Sequence, residues 1–257
     1  MNKLKLCKHK FTLRFTADTI LPPFVGNTIR GAFGQSLCDN FPDVCEQVFK
    51  IGDTESVPNP FVVSMPYPGK GGYRTGDTLD FAITLFGAAC VYESEILSAV
   101  RLMCRGKLSS SEIINSEQVY IREWSDDGAE TIPYADALTV RFLTPTEILS
   151  SKVPVAELDF KKYIDSLFGR IAGVIDRYTE DKFTIPYRFV ANIPFVKAEY
   201  RLKPIRFKTS GQPINGFVGS IRYFGDITRY LPYIDLGSQI HIGKKTTRSC
   251  GEYSYKI

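Results

Sequence analysis

The chain has 257 residues, 44% of them hydrophobic and 23% charged. These are the proportions of an ordinary folded protein, which exclude a disordered or fibrous class and suit two domains of about 120–130 residues each. The formal net charge of +4 is unevenly divided: residues 1–134 hold 13 Lys and Arg against 16 Asp and Glu, and residues 135–257 hold 19 against 12. A surface that meets a polyanion is therefore expected in the second half.

Residues 1–15 alternate charges with single apolar residues, unlike a secretory signal, and no stretch approaches the ~20 apolar residues of a membrane span. A cytoplasmic location and no membrane contact are expected. Cys7, Cys38, Cys45, Cys90, Cys104 and Cys250 show no paired ligand spacing, so free thiols are expected, with no metal and no other cofactor.

In chain order, Phe11, Leu13 and Phe15 alternate with Lys10, Thr12 and Arg14, a half-buried strand. After Pro22-Pro23, Asn27 or Thr28 is expected to cap a helix to about Cys38, with Ile29, Phe33 and Leu37 on one face. Phe61-Val62-Val63 forms a short strand between proline-rich turns, and residues 78–86 alternate as another. A helix is expected from Glu93 to about Leu108, then a strand around Val119-Tyr120-Ile121. The polar cluster Ser125-Asp126-Asp127-Gly128 marks a boundary, giving domains 1–134 and 135–257.

The second half opens with a strand over 138–142. An amphipathic helix follows within 158–178, with Phe160, Ile164, Leu167, Ile171 and Val174 on one face. Val196, Ala198, Tyr200 and Leu202 alternate with Lys197, Glu199, Arg201 and Lys203, a strand whose charged face suits water or phosphate. Residues 216–223 form a glycine-interrupted strand, 226–236 a short helix opened or broken by Pro232, and Gln239-Ile240-His241-Ile242 and Tyr253-Ser254-Tyr255 the closing strands. Both halves read β-α-β-β-α-β. The fold class is α+β: two tandem ferredoxin-like (RRM-like) βαββαβ domains with antiparallel sheets.

Three segments carry a resemblance: LPPFVGNTIRGAFG at 21–34, DFAITLFGAA at 80–89, and GFVGSIRYFGDITRYLPYIDLGSQIHIGKKTTRSCGEY at 216–253, with VRFLTPTEI at 140–148 in addition. In this order and spacing the chain resembles the CRISPR-associated RAMP endoribonucleases that process precursor crRNA. The resemblance implies two ferredoxin-like domains, the CRISPR repeat RNA or crRNA as partner alongside other CRISPR effector subunits, and metal-independent attack of a ribose 2′-hydroxyl leaving a 2′,3′-cyclic phosphate. That chemistry needs a base, an acid and donors for the phosphorane charge.

The densest cationic stretch is Gly243-Lys244-Lys245-Thr246-Thr247-Arg248-Ser249-Cys250-Gly251. It is not a nucleoside-triphosphate loop, which needs glycine where Ser238 stands. Lys244, Lys245, Thr246 and Arg248 are the expected phosphate contacts, with Arg30, Arg222 and Tyr223 as further RNA contacts. Relatives commonly continue this loop with an aromatic, a glycine and a leucine where Arg248, Ser249 and Cys250 stand here. The family's usual acid/base is histidine. His9 lies in a charged strand and is expected to be solvated, and His241 precedes the loop. Tyr178 takes the place at the end of the long helix where some relatives carry histidine. The catalytic candidates are therefore His241, Tyr178 and Lys245. An RNA-holding RAMP subunit without activity stands as the alternative, and a protein-interaction module as a third.

Overall fold

The computed structural model describes residues 3–50, 58–65, 71–126, 134–150, 153–154, 157–184, 197–208 and 213–257. The proline-rich turn at 66–70 and most of the expected boundary cluster, from Asp127 to Pro133, lie outside them. The chain divides into two compact units. One comprises Lys5–Glu123 with Thr247–Ser249; the other comprises Trp124–Thr246 and Cys250–Ile257 with the first four residues.

In the first unit, β1 (Lys3–Phe15) buries Cys7, His9, Phe11, Leu13 and Phe15 on one face, the period of two that its sequence demands. A two-residue β2 (Thr19–Ile20) leads to α1 (Gly26–Asn40) and α2 (Pro42–Val48), followed by β3 (Phe61–Ser64), a short β4 (Gly72–Tyr73) paired with β2, and β5 (Thr78–Phe86). α3 (Glu93–Leu102) and β6 (Ser111–Ser125) complete it. The sheet order is β3-β5-β1-β6, with β5 antiparallel to both β1 and β3. Rings interlock in the core: Phe11 stacks on Phe81 at 5.1 Å and Phe33 meets Phe61 edge-on at 5.6 Å. Each such ring contributes roughly 1.5–3 kcal/mol by leaving water.

Four expectations change here. α1 begins at Gly26 with Val25 as its N-cap and no capping side chain, so neither Asn27 nor Thr28 caps it. α2 was not foreseen, although Pro42 at its start is a helix-opening signal. The turn between these helices brings the Cα atoms of Cys38 and Cys45 to 4.9 Å, and their sulfurs are joined in a disulfide rather than free. α3 stops at Leu102 and tightens into a 3₁₀ turn over Met103–Arg105, short of Leu108.

In the second unit, β7 (Ala137–Thr146) is followed by the small hairpin of β8 (Leu149–Ser150) and β9 (Val153–Pro154), then by α4 (Phe160–Tyr178). The side chain of Asp159 opens α4 by accepting from the Lys162 backbone N–H at 2.8 Å. β10 (Lys197–Phe207) and β11 (Ile214–Phe224) precede α5 (Leu231–Ile240) and β12 (Tyr253–Lys256). The sheet order is β10-β11-β7-β12, antiparallel throughout. In each unit the strands lie in the order fourth, first, third, second, the topology of the expected ferredoxin-like fold. α5 starts after a 3₁₀ turn at Thr228–Tyr230 and takes Pro232 into its first turn. Gln239 and Ile240 are its last residues, which corrects the strand expected there: a β-like alternation of four residues was outweighed by continuation of the helix. No helix among the described residues is long and apolar enough to cross a membrane.

Candidate nucleic-acid interface

The loop after α5 is held by backbone bonds that only certain residues permit. In α4, Arg170 donates from Nε and Nη2 to the Ile240 carbonyl, at 3.2 and 3.1 Å, and so caps the C-terminus of α5. Burial lowers its guanidinium to about 10, so it stays charged at neutral pH. His241 then turns the chain at φ 60°, ψ 165°, a region that is nearly exclusive to glycine and costs on the order of 1–3 kcal/mol for other residues. Its Nδ1 lies 3.1 Å from the Cys250 carbonyl, and Ile242 donates to the Gly251 carbonyl at 3.1 Å. Gly243 and Gly251 have φ of 75° and 76°; a Cβ on either would strike the carbonyl oxygen of Glu147 or Ile242, so glycine is required at both. Lys244 is exposed and donates its backbone N–H to the Glu147 carbonyl at 3.0 Å. Lys245 turns that residue's carboxylate into a partner as well, with Nζ 2.7 Å from Oε2.

Residues 247–249 belong to the first unit and lie on the opening turn of α1. A Cβ on Gly26 would stand 2.5 Å from Ser249 Cβ and 2.7 Å from the Arg248 carbonyl, so the absent side chain is what allows the close approach. Ser249 donates to the Met65 carbonyl at 3.3 Å. One turn further along α1, Arg30 donates from Nε to Thr247 Oγ1 at 3.1 Å and lays its guanidinium over the Phe49 ring at 4.4 Å. Burial, with the neighbouring Arg248 charge, lowers Arg30 to about 10. Two guanidiniums beside a helix N-terminus that carries no acidic residue in its first turn make a place where a phosphate oxygen is stabilised from several sides.

The expected site residues are thus divided. Arg30 and Arg248 come together, with Thr247, which was not foreseen. Lys244, Lys245 and Thr246 share the loop, although Thr246 is buried and Lys245 is paired. Arg222 is exposed on β11 with its guanidinium 4.7 Å from the Phe224 ring centre. Tyr223 is fully buried, stacked on Tyr163, and donates its hydroxyl to the Leu158 carbonyl at 2.9 Å. Its place is the core, because β11 turns it to the opposite face from Arg222. Tyr178 is buried at the end of α4, with its phenol pushed up to about 12 by that burial. Both histidines are buried, His9 at 5% exposure and His241 at 0%. His9 is therefore not solvated as expected; β1 turns it inward, where its Nε2 lies 2.7 Å from Glu93 Oε1. Arg170 was also missed. Its sequence signal is an arginine on the apolar stripe of α4, between Leu167 and Ile171.

Residues 140–253 match the family model described as CRISPR-associated endoribonuclease Cas6, and residues 42–136 match a second model described as an N-terminal domain. Among solved structures, the fold is similar to Thermus thermophilus Cas6, with a TM-score of 0.68 at 15% identity over 98% of this chain and 99% of that one. A Cas6 product complex aligns with a TM-score of 0.65 at 16% identity, over 98% and 100% of the two chains. A RAMP protein binding different RNA substrates aligns with a TM-score of 0.55 at 13% identity, over 98% and 100%. No curated protein matches the sequence.

Proposed function

We propose that this chain, whose residues 140–253 match the Cas6 endoribonuclease model, is a CRISPR-associated endoribonuclease of that kind, and that it binds the repeat of precursor crRNA and cuts it without a metal. The observation that carries the reading is the approach of Arg248 to Arg30 beside the N-terminal turns of α1, which sets two guanidinium charges against one another where no acidic side chain stands in the first turn. In this mechanism the ribose 2′-hydroxyl attacks the adjacent phosphorus, the bond to the 5′ oxygen breaks, and a 2′,3′-cyclic phosphate remains. Arg30 and Arg248 hold the phosphorane charge, which is greater than that of the ground state and so draws more from them as the reaction proceeds. Lys244 and Lys245, which belong to the other unit, hold other phosphates of the RNA.

Proton transfer is the weak part of this arrangement. With His241 and His9 inside the two cores, no imidazole is presented at the surface, and loss of well-placed acid/base catalysis typically costs about 10²–10⁴-fold. Slow, single-turnover cutting is therefore the expected behaviour. The same burial favours a second reading, in which the protein holds crRNA as a subunit of a CRISPR complex and does not cut. Incubation of the repeat RNA with excess protein in EDTA, followed by gel and product-end analysis, separates them. Products ending in 2′,3′-cyclic phosphate, reduced by Arg30→Ala and by Arg248→Ala, support cleavage. RNA that is tightly bound yet whole after hours replaces it with the second reading.

A further inference from the structure

Three side chains with different donor atoms meet in the first unit, at a place the RNA reading does not use. Cys7 and His9 stand two apart on the buried face of β1, and Glu93 is the first residue of α3. His9 Nε2 lies 2.7 Å from Glu93 Oε1 and 3.3 Å from Cys7 Sγ, and the three donor atoms all fall within 4.8 Å of one another. Residue spacing alone does not reveal this cluster, because Glu93 reaches β1 only through the packing of α3.

Glu93 Oε1 accepts from Gln118 Nε2 at 2.7 Å and stands at the same distance from His9 Nε2, and the Cys7 thiol hydrogen-bonds to the same carboxylate. A cation between the three donors takes the place of the protons they share, since each gives it one lone pair and Gln118 remains as the outer partner that orients the carboxylate. One sulfur, one imidazole nitrogen and one carboxylate oxygen are a donor set that zinc takes. Bond lengths of 2.0–2.3 Å at tetrahedral angles put such donors roughly 3.3–3.6 Å apart. The sulfur–nitrogen separation already fits, and the nitrogen–oxygen pair needs to open by about 0.6 Å, which the partly exposed Glu93 side chain can supply.

We propose that Cys7, His9 and Glu93 bind one zinc ion that clamps the first turn of α3 to β1, with solvent in the fourth position. The site is structural and does not rest on the RNA reading.

The test uses the full chain, freed of metal and titrated with zinc against a chromophoric chelator, and in parallel with cobalt, whose bond to a thiolate gives a near-ultraviolet charge-transfer band. One equivalent of zinc is expected, held at least about tenfold less tightly by Cys7→Ser and by Glu93→Gln. The cobalt band should be absent from Cys7→Ser and present in wild type, and added zinc should raise the thermal midpoint of wild type but not of Glu93→Gln. Should Cys7→Ser fail to fold, Glu93→Gln, altered by one atom at a partly exposed position, carries the test. Absence of stoichiometric zinc, a cobalt band that survives in Cys7→Ser, or zinc affinity unchanged in Glu93→Gln would each overturn the assignment.

Discussion

Arg30 and Arg248 repel one another across the first turn of α1, and the free protein tolerates this through the Thr247 hydroxyl and the Phe49 ring. An anion placed between them gains from both charges, and hydrogen bonds to charged groups contribute about 1.5–3 kcal/mol each. Arg30→Ala and Arg248→Ala should therefore weaken repeat-RNA binding by about 10–100-fold in fluorescence anisotropy. Tyr178 illustrates the opposite case. Burial raises its phenol to about 12 in the fold against about 10 unfolded, so its contribution to stability is complete below pH 10 and is lost as pH rises through 12. At the pH of the assay it stays protonated and cannot act as a base. Tyr178→Phe should leave the pH dependence of cleavage between about pH 6 and about pH 9 unaltered; loss of the alkaline limb would return the phenol to the chemistry.

At the scale of elements, local sequence accounts for those whose pattern is long and for few of those set by distant partners. β5 was legible to the residue because four alternating apolar positions fix its span, and α4 because its apolar stripe runs over five turns. The end of α5 was not legible. Gln239 to Ile242 alternate like a strand, but the helix is continued to Ile240 by a guanidinium 70 positions earlier in the chain. Of the site, the loop's cations and glycines were visible in the sequence, which left open whether His241 and Tyr223 pack inward or meet RNA, whereas the pairing of Arg30 with Thr247 was not visible, since it depends on which face a helix presents. Arg170 is accordingly a positioning residue. Arg170→Ala removes two bonds to the Ile240 carbonyl and should lower the thermal midpoint together with RNA affinity, whereas a midpoint equal to wild type would show the cap to be dispensable. β10 carries Arg201, Lys203 and Arg206 exposed along a sheet edge. Charges on an edge also discourage strand pairing with other chains, so Arg201→Ala with Lys203→Ala distinguishes the roles: weaker RNA binding with unchanged solubility is expected if the face meets phosphate.

For the whole molecule, the surplus of positive charge in residues 135–257 makes counterion release the main sequence-independent contribution to binding. The logarithm of affinity should fall linearly with the logarithm of salt, by about 0.7 per neutralised phosphate on single strands. Replacing Lys244, Lys245 and Arg248 together by Ala should flatten that slope; a slope equal to wild type would remove the loop from the interface. The Arg30–Thr247 bond also joins residues 217 apart in sequence. Closing so long a span is entropically late, so during synthesis the first 200 residues leave the ribosome with Gly26 facing nothing. A nascent chain that has not yet added Thr247–Ser249 therefore carries the exposed cations of β10 but only half of the cradle beside α1.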